Sequence, residues 1–282
     1  MKLRYLKLSL VVCWPALPLL AQTTIGGGTC DSSTVKGTYA VSLTGRQVSA
    51  SGTFTSVLQA NGSATFDGLN QVTMALTVDT GKAAGTPMTW SGTYSLQSNC
   101  AGVVTINKGA SATFDIVIFG GGSNFLLSGN DATYSYSGNG DTQPSNCSLS
   151  TFSGVYTFTA TGYSLSSGSV SGAANLTGLL QFDGQGHLTV NVTIASTSPT
   201  ANVLTGPYSV SSNCLGTANL TDSKGNSYVS SVSAFTGNAT STAAFYVSVA
   251  QSSKLVVSGN AHAIYGQPTP AAVHAASSGE GL

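Results

Sequence analysis

The chain has 282 residues with nine Lys/Arg and nine Asp/Glu, so 6% of it is charged, against about 25% in an ordinary soluble domain. Zero net charge with 41% hydrophobic residues excludes wholesale disorder, and the thin scatter of Lys and Arg excludes a nucleic-acid binder. The missing charge is replaced by 34 Gly, 42 Ser and 35 Thr, which leaves few ionisable groups to gather into a catalytic centre.

Residues 1–21 read as a secretory signal peptide. Lys2, Arg4 and Lys7 precede an apolar run from Leu8 to Leu20, which closes at Ala21. The run is short for a membrane span and contains Pro15 and Pro18. A secreted or periplasmic chain with no membrane span after signal removal is therefore expected, with 6 Lys/Arg against 9 Asp/Glu. Residues 22–29 form a leader. Cys13 leaves with the signal, and the remaining Cys30, Cys100, Cys147 and Cys214 read as disulfides, being an even set in an exported chain.

A first copy spans 30–137. Apolar residues recur at every second position, as where Val72, Met74, Leu76 and Val78 share one face. Strands are expected near 37–45, 52–60, 63–66, 71–79, 88–97, 103–108, 112–119 and 125–136. Asn61-Gly62 and Asp67-Gly68 read as hairpin turns. Residues 138–146, rich in turn formers, read as a linker, and a second copy spans 147–266. Residues 267–282, with Pro268 and Pro270, read as a disordered tail.

The duplication rests on blocks kept in order. Cys30 to Tyr39 returns as Cys147 to Tyr156, Phe66-Asp-Gly68 as Phe182-Asp-Gly184, and Ser98-Asn-Cys100 as Ser212-Asn-Cys214. Leu127-Ser-Gly-Asn130 is matched with Val257-Ser-Gly-Asn260. Spacing alone leaves three cysteine pairings open. If each copy folds by itself, the pairs are Cys30–Cys100 and Cys147–Cys214. The fold class expected is all-β, two tandem small antiparallel β-barrels, with open sandwiches as the alternative. A closed barrel removes the edges that a nearly uncharged chain cannot guard with Lys.

The recurring order G-x-Y, F-D-G, G-x-Y-S, S-N-C-x-G, S-G-N resembles a family of exported bacterial domains with small calycin-like or allene-oxide-cyclase-like barrels. The resemblance implies fold and export, and supplies no catalytic residues.

Little points to chemistry. His187 reads as solvent-facing, His262 lies in the last strand of copy two and His274 in the tail, which gives no set of ligands for a metal. No G-x-S-x-G elbow occurs, and Glu280 in the tail is the lone glutamate. No catalytic residue, metal site or cofactor is expected. Asp67 and Asp183 read as turn formers. One residue breaks a strand rule: in Phe114-Asp-Ile-Val-Ile-Phe119 both faces are apolar, so Asp115 is a candidate ligand-binding carboxylate pointing into a lumen, and Tyr246 is read as its counterpart in copy two. The expected function is that of an exported, non-enzymatic binding or structural module with a cell-surface partner. The alternative is a barrel, carrier or lyase-like, that holds an apolar small molecule in its lumen.

Overall fold

The computed structural model of the chain describes residues 29–52, 54–195, 200–236 and 243–264. The segments read as signal peptide and tail, and all but the last residue of that read as leader, lie outside these residues. The first copy contributes β1 (Lys36–Val48), β2 (Phe54–Asp67), β3 (Gln71–Thr80), β4 (Thr86–Leu96), β5 (Ala101–Lys108), β6 (Ala112–Phe119), β7 (Asn124–Asn130) and β8 (Ser135–Thr142). The second contributes β9 (Ser153–Ser166), β10 (Ser169–Asp183), β11 (His187–Ala195), β12 (Thr200–Val210), β13 (Leu215–Asp222), β14 (Ser227–Thr236), β15 (Ala243–Gln251) and β16 (Leu255–Ala263). Each set of eight antiparallel strands closes into a barrel, consecutive strands being neighbours and the first pairing the last. The chain is thus two closed barrels rather than two sandwiches, and the disulfides are Cys30–Cys100 and Cys147–Cys214.

The repeated motifs build the same plug in both barrels. Tyr39, Phe66, Tyr94 and Phe125 meet edge-on or tilted, Phe66 lying 5.0 Å from Tyr94 and 5.7 Å from Phe125. Tyr156, Phe182, Tyr208 and Phe245 repeat this, with Phe182 at 5.0 Å from Tyr208 and 5.7 Å from Phe245. Each such pair contributes about 0.5–1.5 kcal/mol beyond its buried area. A short 3-10 turn after each early cysteine (Ser32–Thr34, Leu149–Phe152) closes this end. It is held by the disulfide and by the Tyr94 and Tyr208 hydroxyls, which donate to the carbonyls of Ser32 (2.8 Å) and Leu149 (3.2 Å). The F-D-G aspartates cap the adjacent hairpins: Asp67 Oδ1 accepts the N–H groups of Leu69, Asn70 and Gln71, and Asp183 Oδ1 those of Gln185, Gly186 and His187. Gly68 and Gly184 take the positive φ, 81° and 75°, that the turn requires.

Four expectations need correction. Asn61-Gly62 is no turn but the middle of the continuous strand β2. A Cβ on Gly62 would stand 2.0 Å from the Ala75 carbonyl oxygen, and one on its counterpart Gly178 would stand 1.9 Å from that of Asn191. The glycine lets neighbouring strands close tightly as the barrel curls. The run 125–136 is two strands, β7 and β8, separated by a turn in which Asp131 accepts the N–H groups of Thr133 and Tyr134. Residues 138–142 belong to β8 and not to a linker. Gly138 and Gly140 are small there because a Cβ would come within 2.5 Å of Leu43 Cδ2 and 2.2 Å of the Phe125 ring. Lastly, Gly138 pairs with Leu43 as Gly259 pairs with Ala160. The match of Val257-Ser-Gly-Asn260 is therefore Tyr136-Ser-Gly-Asn139. Copy one carries Ser-Gly-Asn twice, and only pairing with β1 tells the two apart.

Candidate functional site

Apolar side chains pack the interiors of both barrels. Beyond the plug, Trp90, Phe114 and Tyr136 pack against one another in barrel one with ring centroids 5.5–6.4 Å apart. Phe158, Leu176, Leu180, Val190 and Leu204 are among the buried residues that fill barrel two. The Trp90 indole N–H has no acceptor in this apolar interior among the described residues. Asp115 is not in the lumen. Phe114, Ile116 and Ile118 take the inward positions of β6, so alternation puts Asp115 on the outer face, exposed, beside Val117 and Phe119.

There Asp115 borders an open groove of about 540 Å³ with Arg46, Val48, Ser128, Asn130 and Asp131. The organised carboxylate of the groove is Asp131, which also accepts the Tyr136 hydroxyl at 2.6 Å. Burial works against its charge, but that hydroxyl and the two turn N–H groups outweigh it and hold the carboxyl below its ordinary value, 3.8. Burial first, then Asp131, pushes the Tyr136 phenol up. His187 and His262 are exposed. Among the described residues no three His, Cys, Asp or Glu side chains converge as metal ligands would.

The densest polar arrangement lies elsewhere, between the barrels. Strands β1, β2 and β8 of barrel one pack against β10, β14, β15 and β16 of barrel two. Most of the buried polar side chains among the described residues sit on or beside these facing strands: Gln59, Asn61, Ser63, Asp79 and Gln143 from one barrel, Ser230, Ser231, Ser233, Ser248 and Ser258 from the other. Ser248 Oγ donates to Asp79 Oδ2 (2.6 Å), Ser258 Oγ to Gln59 Oε1 (2.7 Å) and Ser233 Oγ to the Gly62 carbonyl (2.7 Å). The Asn61 amide is oriented so that its oxygen accepts the Ser248 N–H (2.7 Å) and its nitrogen donates to Ser42 Oγ (3.0 Å). At one end the Tyr246 hydroxyl donates to Asp141, which also accepts from Asn124. Two apolar clusters flank the polar band, Ala40 with Phe235, Ala244 and Tyr246, and Val57 with Leu165, Ala250 and Val256. The band fixes the two barrels in one register, since a slip would leave several buried donors and acceptors unpaired, at about 1–3 kcal/mol each.

The seam carboxyls differ from those of the hairpins. Burial pushes Asp79 above 3.8, against the pull of the Ser248 hydroxyl and the Gly85 N–H, and burial likewise raises Asp141. Both hold a proton more firmly in the folded chain than in the unfolded one. Their contribution to stability therefore grows as pH falls through the raised folded value and is complete below 3.8. Backbone N–H groups lower Asp67 and Asp183, and the Ser33 side chain and backbone lower Asp31. These contributions are present above 3.8 and are lost as pH falls through the lowered values. The melting temperature is thus expected to rise as pH is lowered from 7 toward about 4 and to fall below that, and Asp79→Asn should remove much of the rise. A melting temperature that drops steadily from neutrality would contradict this assignment.

The sequence reading missed Asn61, Asp79, Tyr246 and Ser248. Its signal lay in β15 and β16, where both faces are apolar or small: Phe245, Val247 and Val249 point inward while Ala244, Tyr246 and Ala250 are buried from outside. Two-sided burial of a barrel strand requires a neighbour. Neither the protein-family models nor the curated proteins compared with this chain give a match.

Proposed function

We propose that this is an exported, non-enzymatic module, a binding or structural unit at the cell surface or outside the cell, whose barrels are of the calycin-like kind. The observation that carries the reading is the seam: the buried polar groups are paired across two barrels and lock them together. The apolar and aromatic side chains packed inside each barrel favour this over a carrier with an apolar lumen. The up-and-down order of eight strands suits a calycin-like barrel. The two disulfides point to an oxidising, non-cytoplasmic location, and no helix among the described residues is long and apolar enough to cross a membrane. With so few charges on the chain, attachment to a surface partner would rest on hydrogen bonds and apolar contact, which salt screens little.

Fractionation of the producing cells tests the reading. The chain is expected in the envelope or medium, shortened near residue 22, with both disulfides closed, and the surface-bound part is expected to stay on cells washed in high salt. A full-length reduced chain in the cytosol, or release of the bound part by salt, would overturn it.

A further inference from the structure

The seam joins two different faces. Barrel one presents β8, β1 and β2, whereas barrel two presents chiefly β14, β15 and β16, the counterparts of β6, β7 and β8, with the end of β9 and the start of β10 at the margin. Backbone bonds fix this correspondence: the N–H of Ile118 and that of Ala234 donate to the carbonyls of Cys100 and Cys214, and Ile118 pairs with Phe125 as Ala234 pairs with Phe245. Phe119, Leu126 and Val48 of barrel one thus correspond to Phe235, Tyr246 and Leu165 of barrel two. The latter are at most 7% exposed, buried in the seam; the former are 39%, 54% and 51% exposed. The converse holds as well. Leu179 and Ile264 of barrel two, 37% and 38% exposed, correspond to Ser63 and Gln143, which the seam buries. Five of the nine large hydrophobic side chains left exposed among the described residues therefore stand where the other barrel is covered. The groove beside Asp115 lies on the same unused face, for Asp115 and Ser128 correspond to the seam residues Ser231 and Ser248; the counterpart of Asp115 is thus Ser231 and not Tyr246, which matches Leu126.

Each chain thus ends with one unused face on barrel one and, beyond the seam margin at Leu165 and Val170, one on barrel two. From this we infer that a second copy of the chain is the partner: the β6–β7 face of one copy docks on the β9–β10–β11 face of the next, repeating between chains the seam within the chain. The contact is heterologous, so it propagates into a filament or, if the rotation closes, a ring. The inference goes beyond the function proposed above and does not rest on it, because self-association can be measured whether or not the chain is exported.

The test is sedimentation of the purified protein up to about 1 mM, the weak end of specific contacts. Average mass is expected to climb with concentration past that of a dimer. Leu126→Arg and Leu179→Arg, both at exposed positions, are each expected to reduce the protein to a monomer. An equimolar mixture of the two variants is expected to form a one-to-one dimer, since each retains the face the other has lost. Circular dichroism and closed disulfides establish that the variants are folded. A wild type monomeric throughout, or two variants that fail to pair on mixing, would overturn the inference.

Discussion

Gly62→Ala is expected to destroy barrel one. The added methyl would lie 2.0 Å from the Ala75 carbonyl oxygen and 2.8 Å from the Leu76 Cα. These are backbone atoms of the adjoining strand, held by pairing on both sides, and cannot swing away as the end of a flexible side chain can. The strand pair must separate, and Asn61 and the Gly62 carbonyl move with it, so the seam is lost too. The cost should exceed about 4 kcal/mol, the range reached only by severe overpacking or buried defects. The control is Gly172→Ala on β10, where a Cβ meets nothing within 4 Å and the change should stay within about 0.5 kcal/mol. Thermal denaturation with the disulfides intact measures both. Equal melting temperatures would show that strand closeness at Gly62 is not a constraint.

Ser248→Val is expected to uncouple the barrels without unfolding either. Its hydroxyl donates to Asp79 at 2.6 Å and bonds Ser231 at 2.7 Å. Valine puts a methyl in place of the hydroxyl and adds a second, and it leaves the buried Asp79 carboxyl with the Gly85 N–H alone. The expected loss is about 2–4 kcal/mol. Trp14 lies in the segment read as a signal peptide and Trp90 is the other tryptophan of the chain, so fluorescence of a protein cut at that segment follows barrel one while far-ultraviolet circular dichroism follows both. In the wild type the two denaturation curves should coincide, and in the variant they should separate.

Sequence and structure agree where local chemistry decides. Alternation from Val72 to Val78, the Asp-Gly hairpins and one early and one central cysteine per copy each constrain a few neighbouring residues, and each is found as read. What escaped depends on partners distant in the chain. Asn61-Gly62 has the chemistry of a turn, but the pairing of β2 with both β1 and β3 keeps it extended. Asp115 was conspicuous for breaking an apolar run, yet the side it faces is set by Phe114 and Ile116, which enter the core. Asp79, Ser233, Ser248 and Tyr246 look like ordinary outward residues of a Ser/Thr-rich chain. Only the approach of the second barrel makes them buried, so no short-range pattern could mark them as a group. Two-sided apolarity in β15 and β16 was the legible trace. In β6 the same trace led to a lumen hypothesis, whereas the structure puts the outer side of that strand on a face the seam leaves unused.

Polar pairing across the barrels holds them as one body, and a double-mutant cycle on Asp79 and Ser248 measures that pairing. Stabilities of the wild type, Asp79→Asn, Ser248→Ala and the double variant give the coupling energy between two residues 169 apart in sequence. A coupling of about 1–3 kcal/mol is predicted for a buried pair in contact; additive effects, with coupling within about 0.3–0.5 kcal/mol of zero as for independent sites, would contradict the account.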